Sequence, residues 1–398
     1  MLPLENIKVL DLSRLAAGNM VSHMFADFGA DVIKIEKPGQ GDDLRNWQVN
    51  DISHWWAVYS RNKRSLALNL KNDEGLNILK ELVKSADVFI ENFIPGTLEK
   101  WGIGPKELTK LNKNIIILRI SGWGQAGLYK DAPGFGSLVE GMSGFASMNG
   151  EEGKGPLLPP LALADMVAGL TGFGAILIAI LVNKRDNIGG QVIDLSLFEP
   201  LFSILGPWAA SYQISDQVPP RMGNRSNVAA PRGIYKTKDN KFVSLSASMQ
   251  SMWEKLAITI DGKELINDKR FKTNSDRMNN QDDLDDIISQ FIKRYNRDDL
   301  LEIFSREGIT VGPVLDISEI IKHPYVIDRE ILINHSHEEL GNILMHQAFP
   351  RLSKTPGKVK SSAPSIGENT TNILKEIGLT KSQIDKLRDN KIINYSIV

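Results

Sequence analysis

Ile7-Lys-Val-Leu-Asp-Leu12 and Asp31-Val-Ile-Lys-Ile-Glu36 frame the stretch that decides the fold. Both are short runs rich in β-branched residues and leucine, and residues 21–28 between them carry a helical pattern, so the stretch reads as strand, helix, strand. Such strands pair in parallel, because the intervening helix carries the chain back across the sheet. Working outward, residues 64–70, 87–91 and 115–120 read as further strands, with a helix over 73–85. Gln191-Val-Ile-Asp-Leu-Ser-Leu197 supplies another strand, followed by an apolar helix running toward Tyr212. The class is α/β, built on a parallel sheet.

Composition turns polar over residues 215–227, where Pro219-Pro220, Gly223 and Asn224 suggest a linker. Beyond it, residues 233–246 read as two alternating strands around a turn at Asp239-Asn240, a β-hairpin. Helical patterns follow over 252–259, 284–295 and 298–308, and the stretches 311–316 and His323-Pro324 mark a return toward the first domain. The expected division is a large domain over 1–214, a smaller α+β domain over 215–320 and a C-terminal segment, 321–398, returning to the large domain.

Hydrophobic residues make up 42% and charged residues 24% of the 398, an ordinary soluble composition with room for two domains. A net charge of −1 gives no electrostatic reason to expect nucleic acid or an anionic membrane as partner. The absence of cysteine removes disulfides, thiolate catalysis and cysteine-ligated metal together, so covalent catalysis needs an oxygen or nitrogen nucleophile. Residues 1–10 include Glu5 and no long apolar run, which does not read as a secretory signal, and the cytoplasm is the expected location. The six histidines are scattered, which argues against a metal site, and no Gly-x-Ser-x-Gly elbow appears. After the first strand, Ser13-Arg-Leu-Ala-Ala-Gly18 lacks the glycine fingerprint of dinucleotide sites, leaving Glu36 as a solvated strand end.

Residues 166–182 hold no charge and approach membrane-spanning length, but Gly169, Thr171, Gly172 and Gly174 interrupt them, so a buried core helix is expected rather than a membrane span. Asp165 stands alone at the head of this run. It reads either as the helix N-cap or as a carboxylate nucleophile toward an activated acyl group, and position does not separate the two. Three polar clusters fall at carboxyl ends of strands: Lys37-Pro-Gly39-Gln-Gly41-Asp42-Asp43, Asn69-Leu-Lys71 and Glu91-Asn92-Phe93-Ile-Pro95-Gly96. Each alone is ordinary turn chemistry, while three on one sheet edge suit a phosphate-bearing ligand.

Six ordered motifs then add up: Ile7-Lys-Val-Leu-Asp-Leu12, Phe28-Gly-Ala-Asp-Val-Ile-Lys-Ile-Glu-Lys-Pro-Gly39, Asn62-Lys-Arg-Ser65, Glu91-Asn-Phe93, Ser121-Gly-Trp-Gly-Gln125, and Asp165 before its helix. Together they resemble the class III coenzyme A transferases, the family of formyl-CoA transferase and carnitine CoA-transferase, strongly over residues 5–200 and more weakly to the C-terminus. The resemblance implies a Rossmann-like large domain and an interlocked homodimer. It also implies transfer of coenzyme A from an acyl-CoA to a free carboxylic acid, with Asp165 as nucleophile and an aspartyl-CoA thioester as intermediate. No tightly bound cofactor is implied; acyl-CoA is a substrate. By the same resemblance coenzyme A lies against Lys37, Leu68, Asn69, Leu70, Lys71, Asn92, Phe93 and Lys100. Ala132, Pro133, Gly134 and Phe135 face its pantetheine end, and Ala16 and Ala17 approach the acyl group.

Formyl-CoA transferases carry a glutamine where Ala16 stands and a glycine-rich loop in the small domain that this chain lacks. A less polar wall suits a larger acyl chain, such as a dicarboxylate with succinyl-CoA as donor. The rival reading is an α-methylacyl-CoA racemase, whose Gly-His-Asp motif would fall near Gly134-Phe135-Gly136 and whose small-domain glutamate near residues 246–250; neither acid nor histidine is present there. A nicotinamide dehydrogenase is disfavoured by the missing glycines. A non-catalytic acyl-CoA binder would not depend on Asp165.

Overall fold

The computed structural model describes residues 1–394. The chain divides into two compact units: Met1–Ala146, Leu158–Trp208 and the chain from Glu330 onward form the first, and Ser147–Leu157 with Ala209–Arg329 form the second.

The first unit is built on one sheet. Its strands are β1 (Lys8–Asp11), β2 (Asp31–Glu36), β3 (Arg64–Leu68), β4 (Val88–Glu91), β5 (Ile116–Ser121) and β6 (Val192–Ser196). They run in the order β3-β2-β1-β4-β5-β6, all parallel, and Ile393–Asn394 adds an antiparallel strand outside β3. Val9 lies beside both Val32 and Val88, and Leu118 beside Ile90 and Ile193. The strands read as continuous apolar runs because both faces are covered. Leu10, Ile33, Leu66, Phe89 and Ile117 feed one core, with Leu76, Leu79 and Leu82 of a helix, Asp73–Val83. Val9, Val32, Val88, Ile90 and Leu118 feed the other, with Ala17, Val21 and Phe25 of helix α1 (Leu15–Asp27). Sequence order reverses between β1 and β4, so the crevice beyond their carboxyl ends is where such a sheet binds ligands.

Helix α1 begins six residues before the expected start at residue 21. Its N-cap, Arg14, makes no side-chain cap bond. The start is instead held from far along the chain. Asp42 Oδ1 accepts the Leu15 N–H at 2.9 Å, and Asn92 clasps Arg14 twice, accepting its N–H at 2.8 Å and donating to its carbonyl at 2.7 Å. These bonds keep Leu15 at φ 61°, a left-handed conformation that costs a non-glycine residue on the order of 1–3 kcal/mol.

Behind the turn lies a buried ionic cluster. Asp42 Oδ2 receives Lys34 Nζ and Asn19 Nδ2, each at 2.8 Å, and Lys34 also reaches Asp11 at 3.3 Å and the Ser13 carbonyl at 2.5 Å. Burial pulls the Lys34 ammonium toward release of its proton, but Asp11 and Asp42 outweigh it and its pKa is raised. Lys63, with less compensation against its burial, is lowered to about 7 and donates to Asn19 Oδ1 at 2.9 Å. Glu36 is not a solvated strand end: it is buried, because Arg45 from beyond the next turn pairs with both its oxygens at 2.7 and 2.8 Å and Ser65 donates to it at 2.6 Å.

Beyond β5 come helix α2 (Gly136–Met142), the long helix α3 (Leu163–Asp186) and, after β6, α4 (Phe198–Ser203). The apolar helix expected to run toward Tyr212 is broken at Gly206-Pro207 into α4 and a second helix, Trp208–Ser215. Nor is α3 the buried core helix expected of its composition. Only the stripe Ala164, Ala168, Gly169, Gly172, Ile176 and Ala179 is buried, while Leu170, Ile178 and Leu181 are exposed. The small residues are on the buried side because α1 comes too close for anything larger: a Cβ on Gly169 would meet the Met20 side chain at 2.6 Å and the Ala17 carbonyl at 2.9 Å.

In the second unit β7 (Arg232–Lys236), β8 (Phe242–Ser246) and β9 (Val311–Val314) form an antiparallel sheet, the hairpin turning at Asn240 with φ 62°. Helices Gln250–Asp261, Gln281–Ile292 and Arg297–Arg306 pack on it around Trp253, Leu256, Ile288 and Phe304. From Glu330 the chain is again part of the first unit, with a hairpin of Leu332–His337 and Gly341–His346 and helices Thr370–Glu376 and Lys381–Asp389.

Candidate active site

Asp165 is the third residue of α3, not its cap. The N-cap position is Ala162, which makes no side-chain cap bond. The Ala164 N–H, which a cap residue would ordinarily hold, donates instead to Glu140 Oε1 of α2 at 3.1 Å. Glu140 is buried, and Gly136 stands four residues before it, so the two lie one turn apart on the α2 face that meets the start of α3. Against Gly136 sits the carboxyl group of Asp165, since a Cβ there would be 2.6 Å from Oδ2.

The half-buried Asp165 carboxyl is raised to about 6, first by burial and then by the charge of Glu140; its own amide and that of Ala17, which donate to it, work the other way. Ala17 is in the first turn of α1, whose positive end favours negative charge. A carboxylate so placed is ionised at neutral pH yet more basic than a free one, as suits a nucleophile.

Asp165 opens into a cavity of about 320 Å³ bordered by Arg14, Ala17, Asn92, Phe93, Trp123, Lys130 and residues 131–136. A second cavity, about 380 Å³, is bordered by Ser13, Arg14, Lys37, Leu68, Asn69, Leu70, Lys71, Phe93, Thr97 and Trp101. Both share Arg14, Phe93 and Ile94, and both lie beyond the carboxyl ends of β1 and β4. Close backbone approach shapes the first of them: Gly122 and Gly134 face each other so tightly that a Cβ on either would meet the other's Cα at 2.4–2.6 Å. Trp123 Nε1 donates to the Pro133 carbonyl at 2.9 Å and pins the same loop.

The sequence-derived residues thus fall into three groups. Asp165, Ala17, Asn92, Phe93, Ala132, Pro133, Gly134 and Phe135 border the first cavity; Lys37, Leu68, Asn69, Leu70, Lys71 and Phe93 border the second. Ala16, buried in α1, and Lys100, exposed at the end of a short helix, border neither. Arg14, Trp101, Gly136 and Glu140 were not anticipated. Glu140 had a signal of its own, being the sole acidic residue between Asp131 and Glu151.

The model of CoA-transferase family III matches residues 4–370. The chain belongs to CoA-transferase family III. This transferase is 34% identical over 396 residues to succinyl-CoA–D-citramalate CoA-transferase of Chloroflexus aurantiacus, covering 98% of each chain. It is 32% identical over 378 residues to human succinyl-CoA:glutarate CoA-transferase, covering 94% of this chain and 86% of that one. Among solved structures, a CAIB/BAIF family protein from Brucella suis superposes with a TM-score of 0.84 at 30% identity, over 94% of this chain and 99% of the other.

Proposed function

We propose that this CoA-transferase moves coenzyme A from succinyl-CoA to a free dicarboxylic acid, with Asp165 as the nucleophile. The observation that carries the reading is the placing of Asp165 at one end of two cavities that share a wall across the β1/β4 crevice, with its carboxyl raised to about 6. Asp165 attacks the thioester carbonyl and the C–S bond breaks, giving a mixed anhydride and CoA thiolate. The thiolate then attacks the Asp165 carbonyl carbon, releasing the donor acid as its carboxylate and leaving an aspartyl-CoA thioester. The acceptor carboxylate runs the same steps in reverse. Holding the thiolate in the groove keeps it at high effective concentration, and the Ala17 amide is a donor already aimed at the carboxyl where charge develops.

Succinyl-CoA as donor is supported by the names of the relatives. A dicarboxylic acceptor is supported by Arg14 and Lys130, two cations bordering the Asp165 cavity that can pair with a second carboxylate. Lys37 and Lys71 border the outer cavity, where they suit the phosphates of coenzyme A.

The same proposal includes a homodimer in the cytoplasm. Among the described residues, α3 alone is long and apolar enough to cross a membrane. Its packing on α1 through Gly169 and Gly172, together with exposed Leu170, Ile178 and Leu181 on the helix and Val192 on the edge strand β6, supports instead a surface covered by a second copy. Solution scattering tests this, and a monomer at working concentration overturns it.

The chemistry is tested by intact protein mass after incubation with succinyl-CoA, with and without hydroxylamine, for the native chain and for Asp165→Ala. A hydroxylamine-sensitive adduct in the native chain alone supports the reading. Transfer that persists in Asp165→Ala overturns it.

A further inference from the structure

Glu140 holds a position that neither the fold nor helix capping requires of a charged residue. It is buried, its Oε1 takes the Ala164 N–H at 3.1 Å, and the next residue along that helix is Asp165. A neutral acceptor would satisfy the same amide. The carboxylate instead sets one acid against another across the α2–α3 contact, where burial keeps water from screening them.

We propose that Glu140 is a positioning residue for the transfer reaction: it holds the Ala164 amide at the start of α3, next to Asp165, and its charge drives Asp165 toward the neutral acylated forms. This rests on Asp165 being the nucleophile. When Asp165 attacks the thioester its negative charge passes to the departing thiolate, and in the aspartyl thioester the side chain is uncharged. Repulsion from Glu140 is therefore present in the resting carboxylate and absent from both covalent intermediates, so it favours their formation.

The elements packed against α3 are α1, α2, α4, β5 and β6. Their nearby charged residues are few. The first two turns of α1 have no titratable side chain; α4 offers Glu199, engaged by Ser196; β5 offers Arg119, bound to Glu91 and Glu99; and β6 offers Asp194, engaged by the Gln125 amide. Arg14, Lys130 and Asp131 border the cavity. Of all these, Glu140 is the one bonded to the residue beside Asp165, and its charge raises the Asp165 carboxyl.

Glu140→Gln keeps an oxygen for the Ala164 amide and removes the charge, whereas Glu140→Ala removes both. Three readouts separate the roles: the acid limb of kcat/KM against pH, the fraction of chain carrying the hydroxylamine-sensitive adduct at fixed succinyl-CoA, and the thermal midpoint. In Glu140→Gln the acid limb moves to lower pH with the midpoint held or raised. Protonation and acylation both neutralise Asp165, so the adduct fraction at low occupancy falls in step, about tenfold for each unit the limb moves. Glu140→Ala shows the same limb shift and a lower midpoint. An unmoved acid limb in Glu140→Gln, with the adduct intact in the native chain, overturns this role for Glu140 and leaves Asp165 as nucleophile. A native chain that never forms the adduct overturns the underlying reading itself.

Discussion

Replacing Gly136 by alanine adds one methyl group, and the structure says where it goes. Its closest neighbour would be Asp165 Oδ2 at 2.6 Å, followed by Asp165 Cγ at 3.7 Å and the Ala164 Cβ at 3.8 Å, so the carboxyl oxygen alone is in conflict. Restoring ordinary contact at 3.4 Å requires that oxygen to move by about 0.8 Å. Gly136 is the first residue of α2, and alanine there gains up to about 1 kcal/mol of helix preference, so the fold has no reason to suffer. The reacting atom does: a displacement near 1 Å costs on the order of 100-fold in rate. The expected variant has an unchanged or slightly raised thermal midpoint, unchanged affinity for free coenzyme A by calorimetry, and kcat/KM reduced about 100-fold. Activity within twofold of the native chain would refute the placing of the nucleophile against Gly136. A midpoint lowered by several degrees would refute it differently, by showing that the backbone rather than the carboxyl had moved.

Three further outcomes follow from the same geometry. With Asp165 at about 6, kcat/KM should fall about tenfold for each pH unit well below 6, and a rate-against-pH series with an acid limb near 4 would contradict the burial and the Glu140 contact. Because the folded pKa exceeds the unfolded 3.8, the ionised group opposes folding above about pH 6, and this penalty vanishes once both states are protonated, below about pH 4. Asp165→Asn should therefore raise stability by about 1–3 kcal/mol at pH 7.5 and by little at pH 3.5, read from urea unfolding at the two pH values. Asp42→Ala strips Lys34, Asn19 and the Leu15 and Leu44 amides of one shared acceptor and should cost about 3–5 kcal/mol; a urea midpoint close to native would show that the cluster rearranges around the gap.

The parallel sheet was legible because each strand carries its apolar run locally, and the polar clusters after β2, β3 and β4 fall at the end of it where the two cavities open. The start of α1 was not. Nothing in Ser13-Arg14-Leu15 caps a helix, and the groups that do, Asp42 and Asn92, lie 27 and 78 residues away. The same limit left Asp165 ambiguous, since the acceptor that relieves it of capping comes from Glu140 on another helix. Glu36 looked solvated because its partner Arg45 follows a turn whose direction the sequence does not fix. For α3, mean composition misled where pattern would have served: the small residues at 164, 168, 169 and 172 mark one face for close approach and leave the large ones on the other.

The discontinuity of the first unit has a consequence during synthesis. Its first strands leave the ribosome early, but the segment that donates to the β3 edge and supplies the Pro364 carbonyl to Arg45 and Trp56 follows only after residues 209–329. At about 5–20 residues per second those roughly 120 residues take about 6–24 s to emerge. For that interval the nascent sheet has an open edge at β3, and Arg61, deep in the finished unit, waits for the His346 carbonyl. The long middle insertion, nearly continuous in sequence, can meanwhile close its own core, so the order of completion on the ribosome is the reverse of the order in which the two units begin.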